Sequence, residues 1–577
     1  MSRRHGKLAV RALNQYRRRD VIAYLGLRYY LESSAARTDR WATDVAVDIA
    51  TRQTRPAYLL VKHFKEVEIS GAVVQRDIYL PGPNESLAEA ALIDACTSAG
   101  SDFQPASCVY SYRPATGKDE SGIFVHYIQG LKDRHTEITR ACKGNPKARV
   151  AFFDIKRFYP TISTKLAEHA WTTACDRSAL SKKIGELGIH FLSNHKEASG
   201  TLDGHLLTGP MFSHLIGNLV LNELDHQLAN GPAKYLRYVD DITLIGSAQA
   251  IERSQKMVRK CLDQIGLELH AADSVKNQNI TASDWLLGEY DFVESHRKTS
   301  WMSLIGDLKR MLVLHPNSTK DLSAALREEG FRLPIPDYTA VADEKGYQVQ
   351  LQKLLSQPWF RKLANPLSIG GVLAQARTLR QDYKADLEML LKMSERGGYE
   401  AKRALPKLRY RLGRLIYLAE PETLRSVSET TRKIQGLAMQ SAVGRSVSDG
   451  DISSLIAYGT NATQAAAQAM RMSAYDKELI GAPKSIDELN ALAIFNFNGL
   501  KVAPVQSNFE ESPLFGFSSR GVDLAMMRNS DQFIQELACL HGISEYPRHA
   551  DVLDTAFDAA ENISFDAIEQ SQHSFSY

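Results

Sequence analysis

The stretch AFFDIKRFYPTIS, Ala151 to Ser163, and the stretch LRYVDDITLIG, Leu236 to Gly246, decide how this chain is read. ARVAFFD, Ala148 to Asp154, is a short apolar run closed by an acid, which predicts a buried strand delivering Asp154 at its end. KYLRYVDDITLIG, Lys234 to Gly246, predicts two short apolar strands around a charged turn that carries Asp240 and Asp241. An Asp-Asp pair at a turn is ordinarily just solvated. Here its flanks are apolar, so the turn caps a buried hairpin, and the first stretch supplies a third carboxylate. Neighbouring aspartates repel one another unless a cation sits between them. Three such oxygen donors suit a hard divalent ion such as Mg²⁺, which takes few carboxylates and fills its shell with water and phosphate. Two ions in such a site activate a 3′-hydroxyl and stabilise departing pyrophosphate, the arrangement of nucleotidyl transfer.

Around these stretches, Tyr58 to Leu80 reads as extended chain, PGPN (Pro81 to Asn84) as a turn, and ESLAEAALIDACTSA as a helix. Short strands and helices alternate from Cys108 to Phe292, with Leu215 to Leu228 as one helix. Beyond about residue 300 the pattern turns helical, in YQVQLQKLLSQ, VLAQARTLRQDYKADLEMLLKMSE and SETTRKIQGLAMQSA. PKLRYRLGRLIYL predicts an amphipathic helix beginning at Pro406, with Lys407, Arg411 and Arg414 on one face. That basic stripe reads either as a solvated face or as a rail for nucleic-acid phosphates. The basic arm Arg3, Arg4, Lys7, Arg11 and Arg17 to Arg19 carries the same two readings. Three segments are expected: a basic N-terminal arm and helix (1–54), an α+β module (55–292) and a helical module (293–577).

The ordered motifs resemble a reverse transcriptase. DIKRFYPTIS is similar to its motif A, GHLLTGPMFSHLIGNLVL to motif B, YVDD to motif C, LELHAADSVKN to motif D and WLLGEYDF to motif E. AVVQRDIYLPGPN and VYSYRP resemble the first two motifs of the fingers. The resemblance implies an α+β fold: a right-hand polymerase palm and fingers over 55–292, followed by a mainly helical thumb-like and C-terminal domain. It implies metal ligation by Asp154, Asp240 and Asp241 with the Ile155 backbone carbonyl. It implies a nucleotide site formed by Arg76, Arg113, Phe158, Tyr159, Gly209 and Lys276. Tyr159 stands where the family keeps the aromatic ring that excludes a ribose 2′-hydroxyl, Phe158 being the better core residue. Gly209 would let the backbone approach the nascent base pair, and Lys276 would neutralise pyrophosphate.

Intron and retroviral motif B carries Pro-Gln before the glycine, whereas this chain has Leu207-Thr208. With YVDD and the long helical extension, that departure resembles the bacterial defence reverse transcriptases of the abortive-infection and unknown-group class. That resemblance implies anti-phage activity with dNTPs and Mg²⁺, a restricted or low-complexity DNA product, unconventional template or priming, and an oligomer. A noncoding RNA or a second protein subunit is the implied partner, along with RNA or the DNA product strand. The alternatives are an RNA-dependent RNA polymerase and a catalytically silent scaffold that binds RNA or a partner.

Composition excludes other classes. The 577 residues are 44% hydrophobic and 24% charged, which is globular rather than disordered. A net charge of +3 is too small to announce a nucleic-acid partner by itself. No apolar run is long enough to span a membrane, and no apolar core follows the basic start as a secretory signal would require. The six cysteines form no CxxC and read as reduced packing residues, which predicts a cytoplasmic protein without structural zinc. His190 and His195 read as structural or surface residues.

Overall fold

The computed structural model describes residues 6–17, 21–33, 38–68, 70–116, 122–271, 277–286, 300–333, 367–396, 398–473, 475–504, 512–520 and 531–538. In chain order its principal elements begin with α1 (Lys7–Arg17), α2 (Val21–Ser33), β1 (Tyr58–Val67), β2 (Val73–Pro81), α3 (Pro83–Ser98) and α4 (Tyr127–Gly144). Next come β3 (Arg149–Asp154), α5 (Thr164–Arg177), α6 (Lys182–Ser199), α7 (Met211–Val220), α8 (Asn222–Ala229), β4 (Lys234–Tyr238), β5 (Asp241–Gly246), α9 (Ala248–Gln264) and β6 (Gln278–Thr281). The remainder is mostly helical: α10 (Trp301–Leu314), α11 (Thr319–Glu328), α12 (Ile369–Glu395), α13 (Gly398–Leu418), α14 (Pro421–Thr431), α15 (Ala438–Asp449), α16 (Thr460–Met472), α17 (Ile486–Phe497), α18 (Pro513–Arg520) and α19 (Gln532–Ala538). This mixed helix-and-sheet architecture agrees with the α+β expectation. None of the described helices is long and apolar enough to cross a membrane.

The central sheet has the order β4-β5-β3-β6 and is antiparallel throughout. Its strands read as near-continuous apolar runs because both faces are covered. Val150, Phe152 and Ile245 face a small core with Ile138, Cys142 and Trp285, under α4. Ala151, Phe153, Ile242 and Leu244 face the main core with α7, α8 and α9. The extended segment from Tyr58 forms the antiparallel hairpin β1–β2.

Several local expectations are corrected. PGPN is a helix start rather than a turn: Gly82 is the N-cap and Pro83 the first residue of α3, where a missing N–H costs nothing. The single helix expected over Leu215 to Leu228 is broken at Leu221 into α7 and α8. Pro406 lies inside α13 instead of opening it. Ser428 to Ala442 spans the end of α14 and the start of α15. YQVQLQKLLSQ lies outside the described residues.

Among the described residues, the helices after residue 300 share a core with the α+β module. One hydrophobic cluster runs from Leu8 to Leu537, and the late helices return to the β1–β2 hairpin. Phe64 N–H donates to Asn461 Oδ1 (2.9 Å), Gln75 Nε2 donates to the Ala457 carbonyl (2.7 Å), and the Phe64 and Tyr458 rings stack. Gly459 has φ +98°, and a Cβ there would lie 2.2 Å from the Lys62 carbonyl, so only glycine permits this approach.

The last described helix, α19, inserts a carboxylate at the start of α3. Asn84 N–H donates to Glu536 Oε2 (2.9 Å) and Gln53 Nε2 donates to Glu536 Oε1. Glu85, fully buried beside it, is pushed well above its ordinary 4.5, first by burial and then by the Glu536 charge. A carboxyl raised on folding stabilises the fold fully below its unfolded pKa and loses that contribution as pH rises towards its folded pKa. Glu85→Gln is therefore expected to exceed wild type in stability above pH 4.5, by up to about 1.4 kcal/mol per pH unit until the folded pKa is reached. Unfolding midpoints at pH 5, 7 and 9 check this; a difference that stays constant with pH would contradict it.

Candidate metal centre

Asp154 ends β3 and Asp241 begins β5, and the two are direct cross-strand partners. Like charges placed opposite each other in a sheet are destabilising. Asp240 occupies the two-residue turn between β4 and β5, and its carbonyl accepts from Ile155 N–H (3.1 Å). One ligand oxygen from each of the three acids lies within 4.8 Å of the others. Asp154 is 3% exposed and its partners are half-buried, so the cluster is partly removed from solvent without being sealed. The neighbouring ladder bonds, His270 N–H to Asp154 O and Lys156 N–H to Glu268 O, put Ile155 at a non-hydrogen-bonded position of its bridge with Leu269. The donor set is all oxygen, a kind that could hold a hard divalent cation.

Two cationic or ionisable groups flank the acids. Arg134, on α4, places Nη1 3.8 Å from Asp241 Oδ2 and donates through Nη2 to Thr243 Oγ1 (2.6 Å). Burial pulls its guanidinium below its ordinary value, while Asp241, Tyr238 and Asp240 push it back up. His270 Nε2 lies 3.1 Å from Asp154 Oδ2.

The turn itself is strained and propped. Val239 has φ +55°, a left-handed conformation that a β-branched residue rarely adopts. A buried network holds it there. Arg237 donates from Nε and Nη2 to both oxygens of Asp225 (2.8 and 2.6 Å), and from Nη1 to the Val239 carbonyl (2.8 Å). Val239 N–H donates to Ser111 Oγ (2.7 Å), and Tyr235 Oη donates to Asp225 Oδ1 (2.8 Å). Among the described residues, the non-glycine positions with positive φ are Tyr112, Arg157 and Val239. Val239 precedes Asp240, Arg157 lies between Asp154 and Tyr159, and Tyr112 stacks on His214, the residue that holds Tyr159. Strain collected in this way marks a site whose geometry the surrounding structure over-determines.

The other residues singled out in the sequence divide. Tyr159 is half-buried and its Oη lies 2.6 Å from His214 Nδ1. Phe158 is a core residue, 4% exposed, packed where Gly217 of α7 leaves room, so its assignment to a nucleotide site is corrected. Gly209 has φ +128°, and a Cβ there would lie 2.3 Å from the Tyr79 carbonyl. Its smallness is thus demanded by β2, whose Tyr79 N–H donates to the Thr208 carbonyl (2.8 Å). Leu207 is buried with Tyr58 and Tyr79, so the residue in place of the expected proline serves packing. Arg113 donates to the Val109 (2.6 Å) and Ser107 (3.3 Å) carbonyls and stacks on Tyr110, which ties its guanidinium to its own loop. Arg76 is exposed on β2. Lys276 and most of WLLGEYDF lie outside the described residues.

The basic stripe on α13 is corrected. Arg411 donates to Asp386 Oδ2 of α12 (2.8 Å) and lies over Tyr383, while Arg414 is 6% exposed and lies over Tyr410 and Trp301. These guanidiniums are interior cation–π partners, and Lys407 is half-buried. Arg11 is likewise interior, donating to Asp94 Oδ1 and to the Gly122 and Ala115 carbonyls. His195 is fully buried and pushed down to about 3 by burial, as expected of a structural histidine. Cys108 is pushed up to about 11 by burial, which makes it a poor nucleophile.

Sequence reasoning missed Arg134, Asp225, Arg237, His214 and His270. Arg134 carries no local signal, being one of several charged residues along α4. His214 and His270 stand inside motifs already recognised, but the residues they touch, Tyr159 and Tyr112 for the one and Asp154 for the other, lie in distant motifs. No family model matches the chain, and no curated protein matches it.

Proposed function

We propose that this chain is an RNA-directed DNA polymerase that builds DNA from dNTPs by two-metal nucleotidyl transfer and serves bacterial anti-phage defence. The observation that carries the reading is the convergence of Asp154, Asp240 and Asp241, with two of the three facing each other across paired strands. Repulsion of that kind persists in a fold when a cation is there to relieve it. On this reading the sheet β4-β5-β3-β6 is the palm, the β1–β2 hairpin belongs to the fingers, and the helices after residue 300 extend or replace the thumb.

Asp154 and Asp240 would hold Mg²⁺, with Asp241 completing the anionic set and the Ile155 carbonyl available as a further oxygen. Bound there, Mg²⁺ would lower the pKa of a 3′-hydroxyl and neutralise charge on the triphosphate. Arg134 offsets part of the negative charge that the three acids concentrate. Val239, pinned at its N–H and its carbonyl, fixes where Asp240 and Asp241 point. The Tyr159 ring would lie beneath the sugar and exclude a 2′-hydroxyl. Tyr159→Ala is accordingly expected to raise ribonucleotide use relative to deoxyribonucleotide roughly 10- to 100-fold, measured as the ratio of kcat/KM values.

Leu207-Thr208 removes the amide that a template-copying relative would offer to the nascent pair. The expected product is therefore a restricted DNA sequence made with an unconventional template or primer, by an oligomer holding a noncoding RNA or a second subunit. Incubating the purified full chain with Mg²⁺ and labelled dNTPs or rNTPs, with and without prior nuclease treatment, tests the reading. Sequencing the polymer and any copurifying nucleic acid identifies product and template. A narrow-sequence DNA product supports the proposal; RNA product, or none, refutes it.

A further inference from the structure

His214 is neither an acid ligand nor an expected nucleotide contact, yet it is among the most constrained side chains near the site. It lies on the first turn of α7 and is 2% exposed. Its ring stacks flat on Tyr112, with centroids 3.7 Å apart and planes 3° from parallel. Phe124 meets both rings edge-on. Tyr112 is itself held at φ +47°, and its carbonyl accepts from Asn218 Nδ2 (3.4 Å). A histidine clamped in this way cannot rotate to follow a moving partner. Its Nδ1 lies 2.6 Å from Tyr159 Oη, and the two rings also meet edge-on at 5.4 Å. Gly217, one turn further along α7, leaves the space that the rings of Phe158 and Tyr159 fill.

We propose that His214 is a positioning residue for sugar selection: it fixes the Tyr159 ring through the hydroxyl, so that the ring meets the 2′ position of an incoming nucleotide at one set distance. This rests on the polymerase reading above and adds a residue to it. On this proposal the phenol donates to Nδ1, which requires the neutral imidazole with its proton on Nε2. A ring held only by packing can tilt about its side-chain torsions and so open space at the 2′ position. The same clamp connects to the acids, because Asn218 Oδ1 accepts from Arg237 Nη2 (3.2 Å) and Arg237 holds the Val239 carbonyl. The sugar gate and the acid-bearing turn thus share one buried support.

The test compares kcat/KM for a dNTP and the matching rNTP in wild type, Tyr159→Phe, His214→Ala, His214→Asn and the double variant Tyr159→Phe/His214→Ala. Losing one hydrogen bond of this kind is expected to lower discrimination on the order of 3- to 10-fold in each of the first two variants, through higher rNTP kcat/KM. The double variant should fall no further than either single one, since both remove the same bond. His214→Asn, whose amide can still accept from the phenol, should recover most of the discrimination. Tyr159→Phe keeps the ring and tests the bond even if His214→Ala folds poorly. Unchanged discrimination in Tyr159→Phe and His214→Ala, or parallel loss of dNTP and rNTP use in His214→Ala, would overturn the inference while leaving the polymerase reading standing. Failure of wild type to incorporate either nucleotide would overturn that reading, and this inference with it.

Discussion

Replacing Asp240 and Asp241 together with asparagine is expected to lower nucleotide incorporation by about 10³-fold or more, because each ion in such a site supplies several kcal/mol of transition-state stabilisation. The three carboxylates, with ligand oxygens within 4.8 Å of one another, could hold a divalent cation, and the double substitution leaves Asp154, beside His270, as the last of the three acids. Asparagine keeps the shape of aspartate, and Arg237 and Ser111 hold the turn at Val239. The variant should therefore fold, with relieved cross-strand repulsion set against the loss of the charges that face buried Arg134. Incorporation of labelled dNTP, measured beside an unfolding curve, checks both halves. Near-normal synthesis by the double variant would remove the acids from the chemistry.

Breaking the Asp225–Arg237 pair is expected to be the most destabilising single change near the site. Both side chains are buried, Arg237 fully, and the guanidinium keeps its charge because Asp225 reverses the downward pull of burial. Asp225→Ala would strand that charge in the interior and cost about 3–5 kcal/mol, a large part of the 5–15 kcal/mol by which a domain is typically stable. Two consequences separate here. Stability should return when both partners are replaced by apolar residues of similar volume, as in Asp225→Leu with Arg237→Met. Activity should not return, because the Val239 carbonyl then loses the Nη1 donor that holds the acid-bearing turn. Denaturant midpoints and incorporation rates of the single and paired variants check this; an Asp225→Ala protein with wild-type midpoint and rate would contradict it.

What the sequence disclosed follows physical lines. The strands β3, β4 and β5 and the acids at their ends were legible because the signal is local: short apolar runs closed by charge at a turn. The β1–β2 hairpin was legible for the same reason. The partners of buried charges were not. Arg411 and Arg414 occupy helix positions that a periodicity argument assigns to solvent, yet Asp386, Tyr383, Tyr410 and Trp301 on other turns and other helices enclose them. Arg11 and Arg134 tell the same story. A side chain's identity says that it needs a counter-charge or an aromatic face, and only the tertiary fold says whether one arrives. The start of α3 at Pro83 was misread because proline and glycine serve both turns and helix N-termini. The return of α16 to the hairpin and of α19 to the start of α3 was invisible because nothing in a local pattern encodes a contact between Phe64 and Asn461 or between Asn84 and Glu536.

The central claim is that Asp154, Asp240 and Asp241 form one divalent-cation site that engages a deoxynucleoside triphosphate. Crystals of the full chain soaked with Mn²⁺ and a non-hydrolysable dNTP analogue test it most directly, because manganese is located by its own anomalous signal. The account predicts manganese at direct-ligand distance from Asp154 and Asp240, bridged to triphosphate oxygens, with the Tyr159 ring beneath the sugar. Manganese absent from the three acids, or bound elsewhere with the triphosphate, would contradict it.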